Sequence, residues 1–91
     1  SQSITQSFVP GEVIVKYKNQ NSDGSKLSIS SAHSKIASKR KLKAKKTWSH
    51  LNAVNYKIDS QKTVSQTIQE LKNDPEVAYA EPNYYVSITR S

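Results

Sequence analysis

The segment Asn73-Asp74-Pro75-Glu76-Val77-Ala78-Tyr79-Ala80-Glu81-Pro82-Asn83-Tyr84-Tyr85 constrains the fold of this chain more than any other. Asn73-Asp74-Pro75 ends a helix, because proline disfavours helical geometry in the residue before it and has no backbone N–H to donate. Val77, Tyr79 and Glu81 then alternate with Ala78 and Ala80, which is the two-residue period of a strand. Pro82 either ends a central strand at Glu81 or confines the strand to a sheet edge, where a missing donor is tolerated. Residues 83–91 show no pairing pattern of their own and read as a tail that leaves the domain to be held by something else.

The residues before this segment supply five further elements. After a turn signal at Pro10-Gly11, Glu12 to Lys18 is predicted as a strand with Val13, Val15 and Tyr17 on one face. Glu12, Ile14, Lys16 and Lys18 fall on the other face. Asn19 to Ser25 is a polar loop. A helix capped by Ser28 or Ser30 carries Ile29, Ala32, His33, Ile36, Ala37 and Arg40 along one stripe and should fade near Leu42. Lys43 to Ser49 and Ala53 to Ile58 read as strands joined around His50-Leu51-Asn52. Trp48 anchors the first of these, while in the second Val54, Tyr56 and Ile58 oppose Asn55 and Lys57. Thr63-Val64-Ser65-Gln66 has the form of a capping box, and Val64, Ile68 and Leu71 mark the buried stripe of a helix ending at Asn73.

The order strand, helix, strand, strand, helix, strand predicts an α+β, ferredoxin-like fold: a four-stranded antiparallel sheet with both helices on one face. The second face is left open. It is expected to carry Ile14 together with Ala78 and Ala80 or their strand neighbours, and to meet either water or a partner.

Size and composition bound what such a domain can do. Ninety-one residues make one domain. A chain of this size buries only roughly 60–65% of its unfolded surface, so marginal stability without a partner is expected. The apolar share of 34% is low, and the absence of cysteine excludes disulfides and thiolate metal sites. No apolar run approaches the roughly 20 residues of a membrane span. Ser1 to Ser7 has neither a positive segment nor an apolar one and is not read as an intact signal peptide. The formal charge of +7 is unevenly placed. Between Asp23 and Asp59 there is no acid, whereas Lys26, Lys35, Lys39, Arg40, Lys41, Lys43, Lys45, Lys46 and Lys57 all fall there. Such a basic face could steer an acidic protein or a nucleic acid, or could simply be solvated surface.

Catalytic patterns are missing. A serine triad needs a strained nucleophile turn and an oxyanion hole built from backbone amides, and the two glycines, Gly11 and Gly24, supply neither. His33 and His50 have no third ligand at metal spacing, and no glycine-rich phosphate loop exists. His33, on an apolar helix stripe, is read as a partly buried packing residue; the sharper alternative is a pH sensor. The sequence therefore predicts a protein that is not an enzyme and uses no cofactor.

Three segments together resemble a known family. Val9-Pro10-Gly11-Glu12-Val13-Ile14-Val15-Lys16-Tyr17-Lys18 resembles the opening strand of subtilisin-type propeptides, the peptidase-inhibitor I9 family. Leu51-Asn52-Ala53-Val54 resembles its middle hairpin, and Asp74 to Tyr84 its closing strand and exit. The resemblance implies a prodomain that serves a subtilisin-like serine protease as intramolecular chaperone and inhibitor, in a secreted or periplasmic protein. It implies a flexible arm at 1–8, the propeptide domain at 9–82 and a tail at 83–91 leading to the protease active site. It further implies that the open sheet face packs on two protease helices, with Glu81 and Asn83 at the positions that cap them. A helix N-terminus offers free amides and partial positive charge, so an amide at Asn83 caps with less electrostatic gain than the family's carboxylate. Tyr84, Tyr85, Val86, Ser87, Ile88, Thr89, Arg90 and Ser91 would lie in the cleft, with Ile88 to Ser91 at P4 to P1 if processing follows Ser91. Cleavage after Arg90 is equally open.

The partner implied is the cognate catalytic domain, with no small-molecule substrate and no membrane. Two alternatives stand beside it. One is a stand-alone subtilisin inhibitor of the same fold. The other is a basic ferredoxin-like nucleic-acid-binding module, against which the glycine and aromatic pattern of RNA-binding central strands is missing from Val13-Ile14-Val15 and Val54-Asn55-Tyr56.

Overall fold

A computed structural model of the chain describes the backbone of residues 2–20 and 23–90 and the side chains of residues 9–20 and 23–83. The elements are β1 (Gln2–Tyr17), α1 (Ile29–Arg40), β2 (Leu42–Trp48), a 3₁₀ turn (Ser49–Leu51), β3 (Ala53–Ile58), α2 (Val64–Leu71) and β4 (Val77–Arg90). The four strands form one antiparallel sheet in the order β2-β3-β1-β4. This is the β-α-β-β-α-β, ferredoxin-like arrangement that the pattern of elements predicts.

One face of the sheet and both helices share the core. Val13, Val15 and Tyr17 of β1 and Val54, Tyr56 and Ile58 of β3 meet Ala32 and Ile36 of α1 and Val64 and Leu71 of α2. Each fully buried aliphatic side chain here stabilises the fold by roughly 1.5–3 kcal/mol relative to exposure. His33 lies half-buried at the edge of this core, where it was expected to pack. Its Nδ1 is 2.6 Å from Tyr56 Oη, which is 2.5 Å from Tyr17 Oη. Burial pushes the Tyr17 hydroxyl far above its ordinary range and the Tyr56 hydroxyl up to about 12. Both phenols therefore keep their protons at neutral pH, and the buried oxygens remain linked by hydrogen bonds.

The helix ends differ in quality. Thr63 Oγ1 accepts from Gln66 N and Gln66 Oε1 accepts from Thr63 N, each at 3.0 Å, so the predicted capping box is formed. Thr63→Ala should lower stability by about 1 kcal/mol; a shift of the urea midpoint with unchanged slope would report it. Ser28 sits at the N-cap of α1, but its hydroxyl makes no capping bond. The helix stops at Arg40 rather than fading near Leu42, because Lys41 is left-handed (φ 57°). That reversal frees Leu42 to open β2, where it pairs with Ile58 and is buried.

The outer strand and its partner are longer than the sequence suggests. Pro10-Gly11 is not a turn but an irregularity inside β1: pairing with β4 shifts register between Phe8 and Val13, and Gly11 has φ 71°. A positive φ of this kind suits glycine. Pro82 stands opposite Val13 on β4, an edge strand, where its missing N–H breaks no interior ladder. Beyond it, the backbone of residues 84–90 runs antiparallel to residues 2–8, from Phe8 opposite Tyr84 to Gln2 opposite Arg90.

Three residues of the basic stretch, Lys35, Lys39 and Arg40, are held by acids from the C-terminal third. Asp74, 2% exposed, accepts from Lys39 Nζ at 2.9 Å and from Arg40 Nε and Nη2 at 3.0 and 2.8 Å. Lys35 pairs with Glu76 at 2.7 Å and Lys62 with Glu70 at 2.7 Å. Lys35, Lys39 and Arg40 thus tie α1 to the segment linking α2 and β4.

Candidate functional site

The sheet face away from the helices is the surface left for recognition. Residues directly opposite in an antiparallel pair share a face, so the register reads off its rows. Trp48, Ala53, Lys16 and Tyr79 make one row across all four strands. Lys46, Asn55, Ile14 and Glu81 make the next. Lys43, Lys57 and Glu12 make a third. Tyr79 is 50% exposed, and Lys46 Nζ lies 5.1 Å from the Trp48 ring centroid, within cation–π range.

A bulge decides which β4 side chains face this way. Tyr17 pairs with Val77 but its neighbour Lys16 pairs with Tyr79, so Ala78 is the extra residue. Val77 goes to the core, whereas Tyr79 and Glu81 go to the open face and Ala80 packs towards the core. Of the residues expected on the open face, Ile14 is there. Ala80 is not, and its strand neighbours Tyr79 and Glu81 occupy the face instead.

Glu12 organises the end of this face nearest the exit strand. Only 9% exposed, its Oε1 accepts from Asn55 Nδ2 at 3.1 Å and Asn83 Nδ2 at 3.0 Å. Its Oε2 accepts from Lys45 Nζ at 3.0 Å. The bonds from Lys45 and Asn55 hold the Glu12 carboxyl below the usual carboxylate range, against the smaller opposing effect of burial. The partners lie 33, 43 and 71 residues along the chain, which is why the sequence does not disclose them. The one local signal is that Glu12, between Gly11 and Val13, is the single acidic residue of β1.

The residues singled out as helix caps are both on β4, two apart. Glu81 is exposed on the open face, and Asn83 is half-buried against Glu12. For Tyr84, Tyr85, Val86, Ser87, Ile88, Thr89 and Arg90 the backbone is part of β4, but their side chains, and Ser91 altogether, lie outside the described residues. Among the described residues no three His, Cys, Asp or Glu side chains gather as a metal site, and no helix is long and apolar enough to cross a membrane.

A family model described as the Fervidolysin N-terminal prodomain matches residues 1–83. The match takes in all three segments that resemble subtilisin-type propeptides up to Asn83 and stops at the start of the tail. Neither the search of curated proteins nor the search of solved structures returned a match.

Proposed function

Because the chain belongs to the Fervidolysin N-terminal prodomain family, a family of subtilisin-like protease propeptides, we propose that it chaperones and inhibits its cognate catalytic domain. Family membership over residues 1–83 is the observation that carries this reading. In this reading the chain is a non-catalytic, regulatory domain of a secreted or periplasmic protease.

The open sheet face docks on two surface helices of the protease. Trp48, Ile14 and Tyr79 supply apolar and aromatic area there, the residue types that anchor interfaces. Glu81 and Asn83 cap the helices they meet, since free N-terminal amides attract an oxygen acceptor. Tyr84 to Ser91 lie along the active-site cleft and pair by backbone, a form of β-augmentation that asks little of the side chains. Docking outside the cleft retains the cleaved end and slows turnover. A sheet already assembled also offers a folding catalytic domain a surface on which to gather contacts distant in sequence, the step that limits folding rate.

Purified subtilisin-like proteases, assayed over time with the folded 91-residue chain, test the reading. Competitive inhibition that fades as the domain is digested is expected of a prodomain. Inhibition that never fades would point to a dedicated inhibitor. A folded domain that inhibits none of the proteases would overturn the proposal, and RNA binding persisting at 200 mM salt would then favour the nucleic-acid alternative.

A further inference from the structure

Resting on that docking reading, we infer that Glu12 is a positioning residue: it holds the Asn83 amide with its carbonyl oxygen outward, as acceptor for the free backbone amides of a partner helix. An ionised carboxylate can only accept hydrogen bonds. The Asn83 atom 3.0 Å from Glu12 Oε1 must therefore be the NH₂ group, which turns Oδ1 away from Glu12. Among the described residues, Oδ1 of Asn83 has no hydrogen-bond partner. Without Glu12 the amide could rotate and present its donor, which would repel the N–H groups of a helix start instead of binding them.

Glu12 is itself held rigidly. Lys45 from β2 and Asn55 from β3 fix its carboxylate, so the lock is attached to the sheet and not to a loop. The same geometry explains why an amide suits position 83. A carboxylate there would stand about as close to Glu12 as the amide nitrogen does, and two like charges at that separation repel. Asparagine can donate inward through Nδ2 and accept outward through Oδ1 at once, which aspartate cannot.

The test is a set of inhibition constants on a protease that the wild-type chain inhibits, with urea unfolding of each variant alongside. Glu12→Gln should weaken inhibition about tenfold, the worth of one helix cap. In an Asn83→Ala background the same change should alter it by less than about twofold, because Glu12 then has no cap to orient. Asn83→Asp should weaken inhibition, and Glu12→Gln added to it should restore at least wild-type strength, since the new amide can donate to the introduced carboxylate. Equal loss from Glu12→Gln in both backgrounds would overturn the inference, as would an Asn83→Asp variant that inhibits like wild type. Inhibition by wild type with additive losses sinks only the role of Glu12; no inhibition by the folded wild type sinks the docking reading with it.

Discussion

Replacing Asp74 by alanine is expected to lower the stability of this domain by about 3 kcal/mol, the lower end of what breaking a buried ion pair costs. Its carboxylate is 2% exposed and holds Lys39 and both donating nitrogens of Arg40. Removing it leaves Arg40, whose side chain is 16% exposed, with Glu70 at 3.6 Å as its one remaining acid among the described residues. The half-exposed Lys39 can turn to water, which is why the upper end of the range is not reached. A chain of this length has roughly 5–13 kcal/mol of stability, so the loss is a large part of the whole. Urea unfolding at neutral pH would measure it, and a midpoint unchanged from wild type would refute the account.

The same residue sets a pH dependence. Burial raises the Asp74 carboxyl, but the hydrogen bonds from Arg40 and Lys39 more than offset it, so its folded pKa lies below the ordinary value. A depressed folded pKa contributes stability that is fully present above the unfolded value of about 3.9 and is lost as pH falls through the folded value. Glu12 and Glu76 are shifted in the same direction. Wild type should therefore lose stability below about pH 4, and Asp74→Ala should lose less over that interval because one contributor is already gone. Parallel acid limbs for the two proteins would show that Asp74 carries no such linkage.

Truncation after Asn83 should weaken protease inhibition by at least about 100-fold while leaving the domain folded. The removed backbone would otherwise pair along the cleft, and three or four net hydrogen bonds at about 0.5–1.5 kcal/mol each amount to two decades or more in affinity. Every described member of the buried core cluster lies between Val13 and Val77, so that core is kept in the shortened chain. What truncation does remove is the partner of residues 2–8, which pair with 84–90 at the far end of β1. Circular dichroism and a urea midpoint close to wild type would certify the shortened domain. If that folded domain inhibits as strongly as the full chain, the tail has no part in inhibition. Alanine substitutions of single tail side chains should matter far less, because backbone pairing carries the contact.

How much was legible in the sequence follows from the range of each interaction. The capping box at Thr63 and Gln66, the alternation of Val54, Tyr56 and Ile58, and the stripe of Ala32 and Ile36 depend on residues a few positions apart, and all appear where local pattern puts them. The limit on Pro82 was equally local: a residue without a donor belongs at an edge, and β4 is one. Pattern failed where a single backbone irregularity intervened. Val77 and Tyr79 look like one face of a strand, but the extra residue Ala78 sends one to the core and the other to the open face.

The order of elements, and with it the ferredoxin-like sheet and its one covered face, was determined by the sequence alone, because periodicity, caps and proline act within a turn or a strand. The three resembling segments likewise sufficed to point to the protease prodomains to which the chain belongs. Only the tertiary structure decided which residues meet: that Asp74 binds the end of α1, that the two chain ends run side by side, and that Glu12 gathers Lys45, Asn55 and Asn83. Each of those contacts joins residues at least 33 positions apart. They form only once the sheet has closed, and no local rule of sequence encodes them.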